Sequence, residues 1–464
     1  METCYVEKWL HDKVRQTAKN NPEFAGRECC NDLSQITRSD IEAFQFFRLK
    51  KILVYAYEKS RFYNEMFCKM GITPDDIRSM DDFVKLPLTE PDNLAKIHYR
   101  FACISLSELA QEYLFDTSGT EGKVKRVVCS QQDIDRMIDY MSAGIRTVLK
   151  NGDTIMIILP GGRPNSQADL LSRGVRKMGG IPVVSRMNAS PEKYIKTIEQ
   201  YAPKVIFTPP SCIHRITMGY KPRARLGDLG VETLFLTSEH VSEAMRKKLK
   251  GIWNCDVHSH YGMTEMGIGV SVECYAHDGY HFNEADLLLE MIDPDTGDII
   301  KDDREGEIVF TTLTREGTPL IRYRTNDISR VISQPCPCGA VTLKRIGGQV
   351  IKRKSLVTIG KKDEIHPAFF DDVIYGLSEV IDYQIVITKK ENTDCLKFMV
   401  EITEHGNGID KEIQKRLLET PVVWRNLDRS MISPPEVELV RMGTLIPRTR
   451  AKKLIIDKRV NTDN

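Results

Sequence analysis

The 464-residue sequence lacks any apolar run approaching the length of a membrane span, and it lacks a block of like charge. A spanning helix needs about 20 consecutive apolar residues, so an integral membrane protein is not expected. Basic and acidic residues nearly cancel, 66 against 65, which removes the basic stripe that a nucleic-acid partner requires. The opening stretch METCYVEKWLHDKVRQ mixes acids, bases and aromatics and has no apolar h-region, so it does not read as a signal peptide. There is no internal repeat and no low-complexity segment. The 12 cysteines, in a chain this long, fit reduced thiols better than a disulfide framework. Together these absences lead us to expect a cytoplasmic protein with neither membrane nor nucleic acid as partner.

What is present is ordinary for a large globular protein: 41% apolar and 28% charged residues, enough chain for two or three domains. Residues 1–110 read as helical; SDIEAFQFFRLKKILVYAYEKS carries apolar residues at helical spacing, with acids in its first turn. Strands then alternate with helices. TIMIILP, IPVVS, VIFTPP, ETLFLTS and DVHSHYG read as strands; ADLLSRGVRKMG, SPEKYIKTIEQYA and SEAMRKKLKGIW read as helices, the second with Ser190 as N-cap and Pro191 at its first position. That alternation predicts an α/β fold with a doubly wound, largely parallel sheet, whose ligands lie past the carboxyl ends of the strands. Thr237, Ser238 and Glu239 follow one such end, and Tyr261 to Glu265 another. From Phe282 to Val331 the sequence turns β-rich. We expect a large N-terminal domain over 1–345 and a small mobile C-terminal α/β domain over 346–464.

The stretch FDTSGTEGKVKRVV packs hydroxyls, glycines and a lysine into a few positions. Glycine backbone amides, hydroxyl donors and an ammonium make a cradle for an anion such as a phosphate chain. It is not a Walker loop, because only Thr120 and Glu121 separate Gly119 from Gly122, and Val124 follows Lys123. Taken alone it reads as readily as a polar hairpin. A second cluster is Cys274 and His281 in ECYAHDGYH together with Cys336 and Cys338 in CPCG. Three thiols and an imidazole make a closed tetrahedral set for structural Zn²⁺, with His277 as an alternative fourth ligand. Either pair alone reads as reduced thiols in a loop.

TSGTEGK, HSHYGMTEMG, PLIRYRTNDIS and GTLIPRTRAKKLIIDKR occur in the order typical of the adenylate-forming (AMP-binding) superfamily. The texture of SRFYNEMFCKMGITPDDIRSMDDFVKLPLTEPDNL and EMIDPDTGDIIKDDREGEIVFTTLT resembles that of phenylacetate–CoA ligases, over most of residues 40–345. The resemblance implies ATP-dependent activation of a carboxylic acid as an acyl-adenylate, then transfer to coenzyme A. By the same resemblance Ser118, Gly119, Thr120, Gly122 and Lys123 grip the β- and γ-phosphates. Tyr261 stacks on adenine with Gly262 beside it in the cofactor-binding motif, Thr264 reaches the α-phosphate and Glu265 binds Mg²⁺. Asp327 and Gln349 take the ribose, and Thr237, Ser238 and Glu239 line the base. Lys452 matches the C-terminal catalytic lysine, with Lys453 one residue away as the alternative. A homodimer is also implied. Departures fall at Glu121 and Val124 in the first loop, at Asn326, and at the hinge, where Gly348–Gln349–Val350–Ile351 lacks the usual aspartates. They leave two rivals open. One is an adenylating enzyme with another acceptor, a carrier protein or a deazaflavin cofactor; the other is a non-catalytic adenine-nucleotide binder.

Overall fold

A computed structural model describes residues 4–25, 35–116, 124–391, 393–403, 408–445 and 455–459. The chain begins with helices whose faces follow from apolar spacing. α1 (Tyr5–Asn20) buries Val6, Leu10, Val14 and Ala18, one stripe at intervals of four. The helix Arg38–Lys59 starts at a capping box: Thr37 N donates to Asp40 Oδ2 at 2.7 Å and Asp40 N to Thr37 Oγ1 at 3.3 Å.

Strands β1 (Gln111–Asp116) and β2 (Val124–Cys129) pair antiparallel and bracket residues 117–123. Next come β3 (Thr154–Ile158), β4 (Ile181–Ser185), β5 (Val205–Thr208), β6 (Thr233–Thr237) and β7 (Asp256–His260), joined by helices. They form one five-stranded sheet in the order β4-β3-β5-β6-β7. β3 with β5 and β5 with β6 run parallel. The strands VIFT and TLFLT are buried along their whole length, as strands covered on both faces must be. Ser166, Ser190 and Ser242 cap three of the crossover helices, and Ser190 is the cap its sequence position predicts. The expected α/β fold is present.

The β-rich stretch supplies β8 (Ser271–Glu273), β9 (Tyr280–Phe282), β10 (Leu287–Ile292), β11 (Gly306–Thr312) and β12 (Tyr323–Ser329). β8 pairs antiparallel with β9, and β11 pairs antiparallel with both β10 and β12. Beyond them, Val380–Lys390 and Thr393–Ile402 form a long antiparallel pair, with Ile455–Asp457 and Glu436–Arg441 added in parallel at its two edges.

The described residues fall into two compact units. The first contains 1–152, 160–182 and 260–350; the second contains 153–159, 183–259 and 351–464. In the second, one continuous core runs from Ile206, Leu234 and Val257 of the parallel sheet through Trp253 to Phe370, Phe398 and Val400 of the C-terminal sheet. The helix Pro210–Gly219 ties these parts together. His214 Nε2 lies 3.0 Å from the Val380 carbonyl, and Arg215 reaches both oxygens of the buried Glu401 at 2.7 and 3.3 Å. Among the described residues no helix is long and apolar enough to cross a membrane.

Candidate functional site

Within the first unit, the turn that follows β7 meets β12 and β2. The Tyr261 hydroxyl donates to Asp327 Oδ2 at 2.8 Å. Burial, and then the Asp327 carboxylate, push the Tyr261 phenol well above its ordinary pKa, so it stays protonated and donates. Asp327 owes its position to its neighbours on β12. Its backbone N–H donates to Thr325 Oγ1 at 2.9 Å, and Asn326 holds a left-handed φ of 59° while its N–H donates to Glu307 Oε1 at 3.0 Å. Asparagine tolerates that φ better than most residues, which explains its place where the family resemblance leads one to expect glycine. A Cβ at Gly262 meets His260 Cε1 at 3.3 Å and Val270 Cβ at 3.4 Å, a close fit on that side of the turn. Burial pushes the His260 imidazole down to about 4, so this ring is neutral near pH 7. The Thr264 carbonyl accepts from Gly267 N at 3.2 Å and closes the turn.

Glu265 is 4% exposed, and one of its oxygens is already engaged. Lys125 Nζ donates to Glu265 Oε1 at 2.9 Å and to the Tyr323 hydroxyl at 2.9 Å; that hydroxyl lies 3.3 Å from the same Oε1. The lysine side chain is only 10% exposed. Burial and the adjacent carboxylate raise the Tyr323 phenol well above its usual range, so it too is a donor. An ammonium therefore sits at the oxygen where the resemblance implies Mg²⁺. As arranged, Oε1 does not fit a divalent cation without displacing Lys125.

The other turn lies in the second unit. Thr237 is the last residue of β6, and Ser238 follows with a φ of 73°. Glu239 accepts from Ser211 N at 3.0 Å and from Ser211 Oγ at 2.7 Å, an acid at the start of the helix Pro210–Gly219. Gln349 is exposed, and its carbonyl accepts from Ser329 Oγ at 3.0 Å. Ser118, Gly119, Thr120, Gly122, Lys123, Lys452 and Lys453 lie outside the described residues.

Cys274, His281, Cys336 and Cys338 come together, all buried, with their ligand atoms within 4.8 Å of one another. Cys274 Sγ and Cys336 Sγ are 3.6 Å apart, and Cys338 Sγ is 3.4 Å from His281 Nε2. Disulfide sulfurs sit about 2.05 Å apart. A tetrahedron with metal–sulfur bonds of about 2.3 Å has sulfur–sulfur edges of about 3.8 Å. The set therefore fits a zinc ion. The four groups also share protons, which a bound metal displaces. Cys338 is held far below the ordinary thiol range by Cys274 and by Cys4, and the shared proton raises Cys274. Burial opposes charge on His281, yet the sulfurs of Cys336 and Cys338 outweigh it and bring the imidazole up to about 9. His277, the alternative ligand, instead lies 3.3 Å from Glu273.

Three participants escape a reading of motifs. Lys125 follows the glycine-rich stretch, and its signal is period-two alternation: Lys125, Val127 and Cys129 all face inward on β2, and an inward lysine needs a partner. Tyr323 lies inside a recognised motif, but its contact with Glu265 joins β12 to the turn after β7, 58 positions away. Cys4 precedes α1 and reaches Cys338 through a contact that no local spacing encodes. Helix α1 is fixed over that turn by Glu7, whose Oε1 accepts from Val341 N at 2.9 Å and Thr342 N at 2.7 Å.

The fold combines a parallel sheet, the antiparallel strands β8–β12 and a C-terminal sheet, with a tyrosine–aspartate pair past a strand end. The chain belongs to the AMP-binding enzymes: a model of that family matches residues 110–313, and one of the AMP-binding enzyme C-terminal domain matches residues 363–459. It is 28% identical over 406 residues to the phenylacetate-coenzyme A ligase of Thermus thermophilus, covering 84% of this chain and 87% of that one. Against the phenylacetate-coenzyme A ligase of Escherichia coli it is 27% identical over 436 residues, 89% of this chain and 93% of the other. The crystal structure of 2-hydroxyisobutyryl-CoA ligase in the postadenylation state, in complex with R3-HIB-AMP, has a TM-score of 0.78 at 18% identity, covering 91% of this chain and 90% of that one.

Proposed function

We propose that the protein activates a small carboxylic acid, aromatic and phenylacetate-like, with ATP and passes the acyl group to coenzyme A. The observation that carries this reading is the Tyr261–Asp327 contact at the end of β7, within a chain similar to phenylacetate-coenzyme A ligases over most of its length. In the first half-reaction a carboxylate oxygen of the acid bonds to the α-phosphorus of ATP, and the bond to the departing pyrophosphate breaks. In the second, the coenzyme A sulfur bonds to the acyl carbon and AMP leaves with the electron pair.

Residue roles follow from chemistry. The first half-reaction brings two anions together, so it needs donors and cations around the triphosphate. Ser118, Gly119, Thr120, Gly122 and Lys123 supply them for the β- and γ-phosphates, and Thr264 for the α-phosphate. Asp327, held by Tyr261, accepts from ribose hydroxyls, Gln349 is assigned to the ribose as well, and the turn of Thr237, Ser238 and Glu239 is assigned to the base. Lys452, or Lys453 one position on, offsets the charge that builds at phosphorus. Residues 346–464 form the C-terminal domain that carries this lysine. Zinc, held by Cys274, His281, Cys336 and Cys338, is structural, because four protein ligands leave no open position for water. We assign the protein to the cytoplasm as a homodimer. The test is exchange of labelled pyrophosphate into ATP across a panel of small acids, followed by coenzyme A consumption with the acid that supports exchange.

A further inference from the structure

We propose that Lys125 is the resident cation of this site: in the nucleotide-free protein it occupies Glu265 and keeps divalent metal ions off that carboxylate. The inference rests on Glu265 belonging to the nucleotide site, and it concerns a residue to which the motifs give no part.

Three observations support it. Lys125 and the Tyr323 hydroxyl both converge on a single oxygen, Glu265 Oε1, at 2.9 and 3.3 Å. Lys125 also donates to Tyr323 at 2.9 Å, so the ammonium is held by two groups rather than resting on one. The pair is buried, with side chains 10% and 5% exposed, where water screens the attraction poorly. A magnesium ion gives up its own water reluctantly. To reach this oxygen it must also displace a charge that is already desolvated and hydrogen-bonded. Metal binding at Glu265 and release of Lys125 are thus one event, and Lys125 is a positioning residue for it.

The test is Mn²⁺ binding to nucleotide-free, zinc-loaded protein, followed by the electron paramagnetic resonance signal of free Mn²⁺. Wild type and Glu265→Gln should bind Mn²⁺ alike, since Lys125 blocks that carboxylate in one and the carboxylate is gone in the other. Lys125→Met, of similar shape and no charge, should acquire a site at least about 10-fold tighter than any in wild type, from relief of competition by a fixed charge. Lys125→Met/Glu265→Gln should lose it. A wild-type protein whose Mn²⁺ affinity falls in Glu265→Gln overturns the proposal, and that comparison stands even where Lys125→Met does not fold. A folded Lys125→Met that is merely less stable and gains no Mn²⁺ site overturns it too, leaving a structural ion pair. Absence of acid-dependent pyrophosphate exchange refutes the enzymatic reading instead and leaves the Mn²⁺ comparison unchanged.

Discussion

Replacing Cys336 with serine removes one of four sulfur or nitrogen ligands from a buried cluster, and its effect can be estimated from the chain it spans. Cys274 and Cys336 are 62 positions apart in sequence. A link of covalent firmness closing a loop that long restricts the unfolded chain by roughly 4 kcal/mol. For a unit of more than about 150 residues each kcal/mol moves the midpoint by about 2–4 °C, so full loss of the link should lower it by on the order of 10 °C. Serine is a poor zinc ligand, and the three remaining residues hold the ion too weakly to retain it through purification. The assay is elemental analysis beside thermal denaturation, for wild type, Cys336→Ser and wild type treated with a chelator. One zinc per chain is expected in wild type, with parallel losses of stability in the other two. Wild-type protein that contains no zinc, and whose midpoint a chelator does not move, refutes the reasoning and leaves three reduced thiols beside a histidine.

Other outcomes follow from the same physics. Lys452→Ala should stall formation of the acyl-adenylate by about 10²-fold or more, of the order of other lost electrostatic contacts, while sparing thioester formation from a presynthesised adenylate; the same pattern in Lys453→Ala alone moves the role by one residue. Asp139 is half-shielded by burial, but hydrogen bonds from Lys13, Lys177 and Trp9 prevail and hold its carboxyl down to about 2, against 3.8 ordinarily. Its folded value is the lower one, so its stabilisation is present above the unfolded value and lost as pH falls toward about 2. Asp139→Asn should therefore cost roughly 1–2 kcal/mol at pH 7 by linkage and almost nothing near pH 2, as read by denaturant unfolding. Asn326→Gly should be close to neutral, whereas Asn326→Val should cost about 1–2 kcal/mol, because a β-branched side chain resists a positive φ.

Elements with a strong local signal were legible in the sequence. The helix start at Ser190 follows from its capping residue, and the parallel sheet follows from apolar runs alternating with helices. Tyr261 and Asp327 were legible through their motifs, although the hydrogen bond joining them depends on the approach of β12 to the end of β7. The cysteine cluster was legible because two short pairs share one chemistry. Lys125 was not. A lysine on a strand reads as solvated until pairing shows which face is inward, and its partner lies 140 positions away. Nor was the make-up of the second unit, since packing of the helix Pro210–Gly219 against Val380 and Glu401 is set by surfaces far apart in sequence.

The most direct measurement of the central claim is acid-dependent exchange of labelled pyrophosphate into ATP, run over aliphatic and aromatic acids and followed by coenzyme A consumption. We expect exchange with a small aromatic acid, and with that acid stoichiometric loss of free thiol and appearance of AMP. Exchange without thiol consumption assigns the activated acyl group to another acceptor. No exchange with any acid, from protein that still binds ATP, contradicts the account and leaves an adenine-nucleotide binder that performs no chemistry.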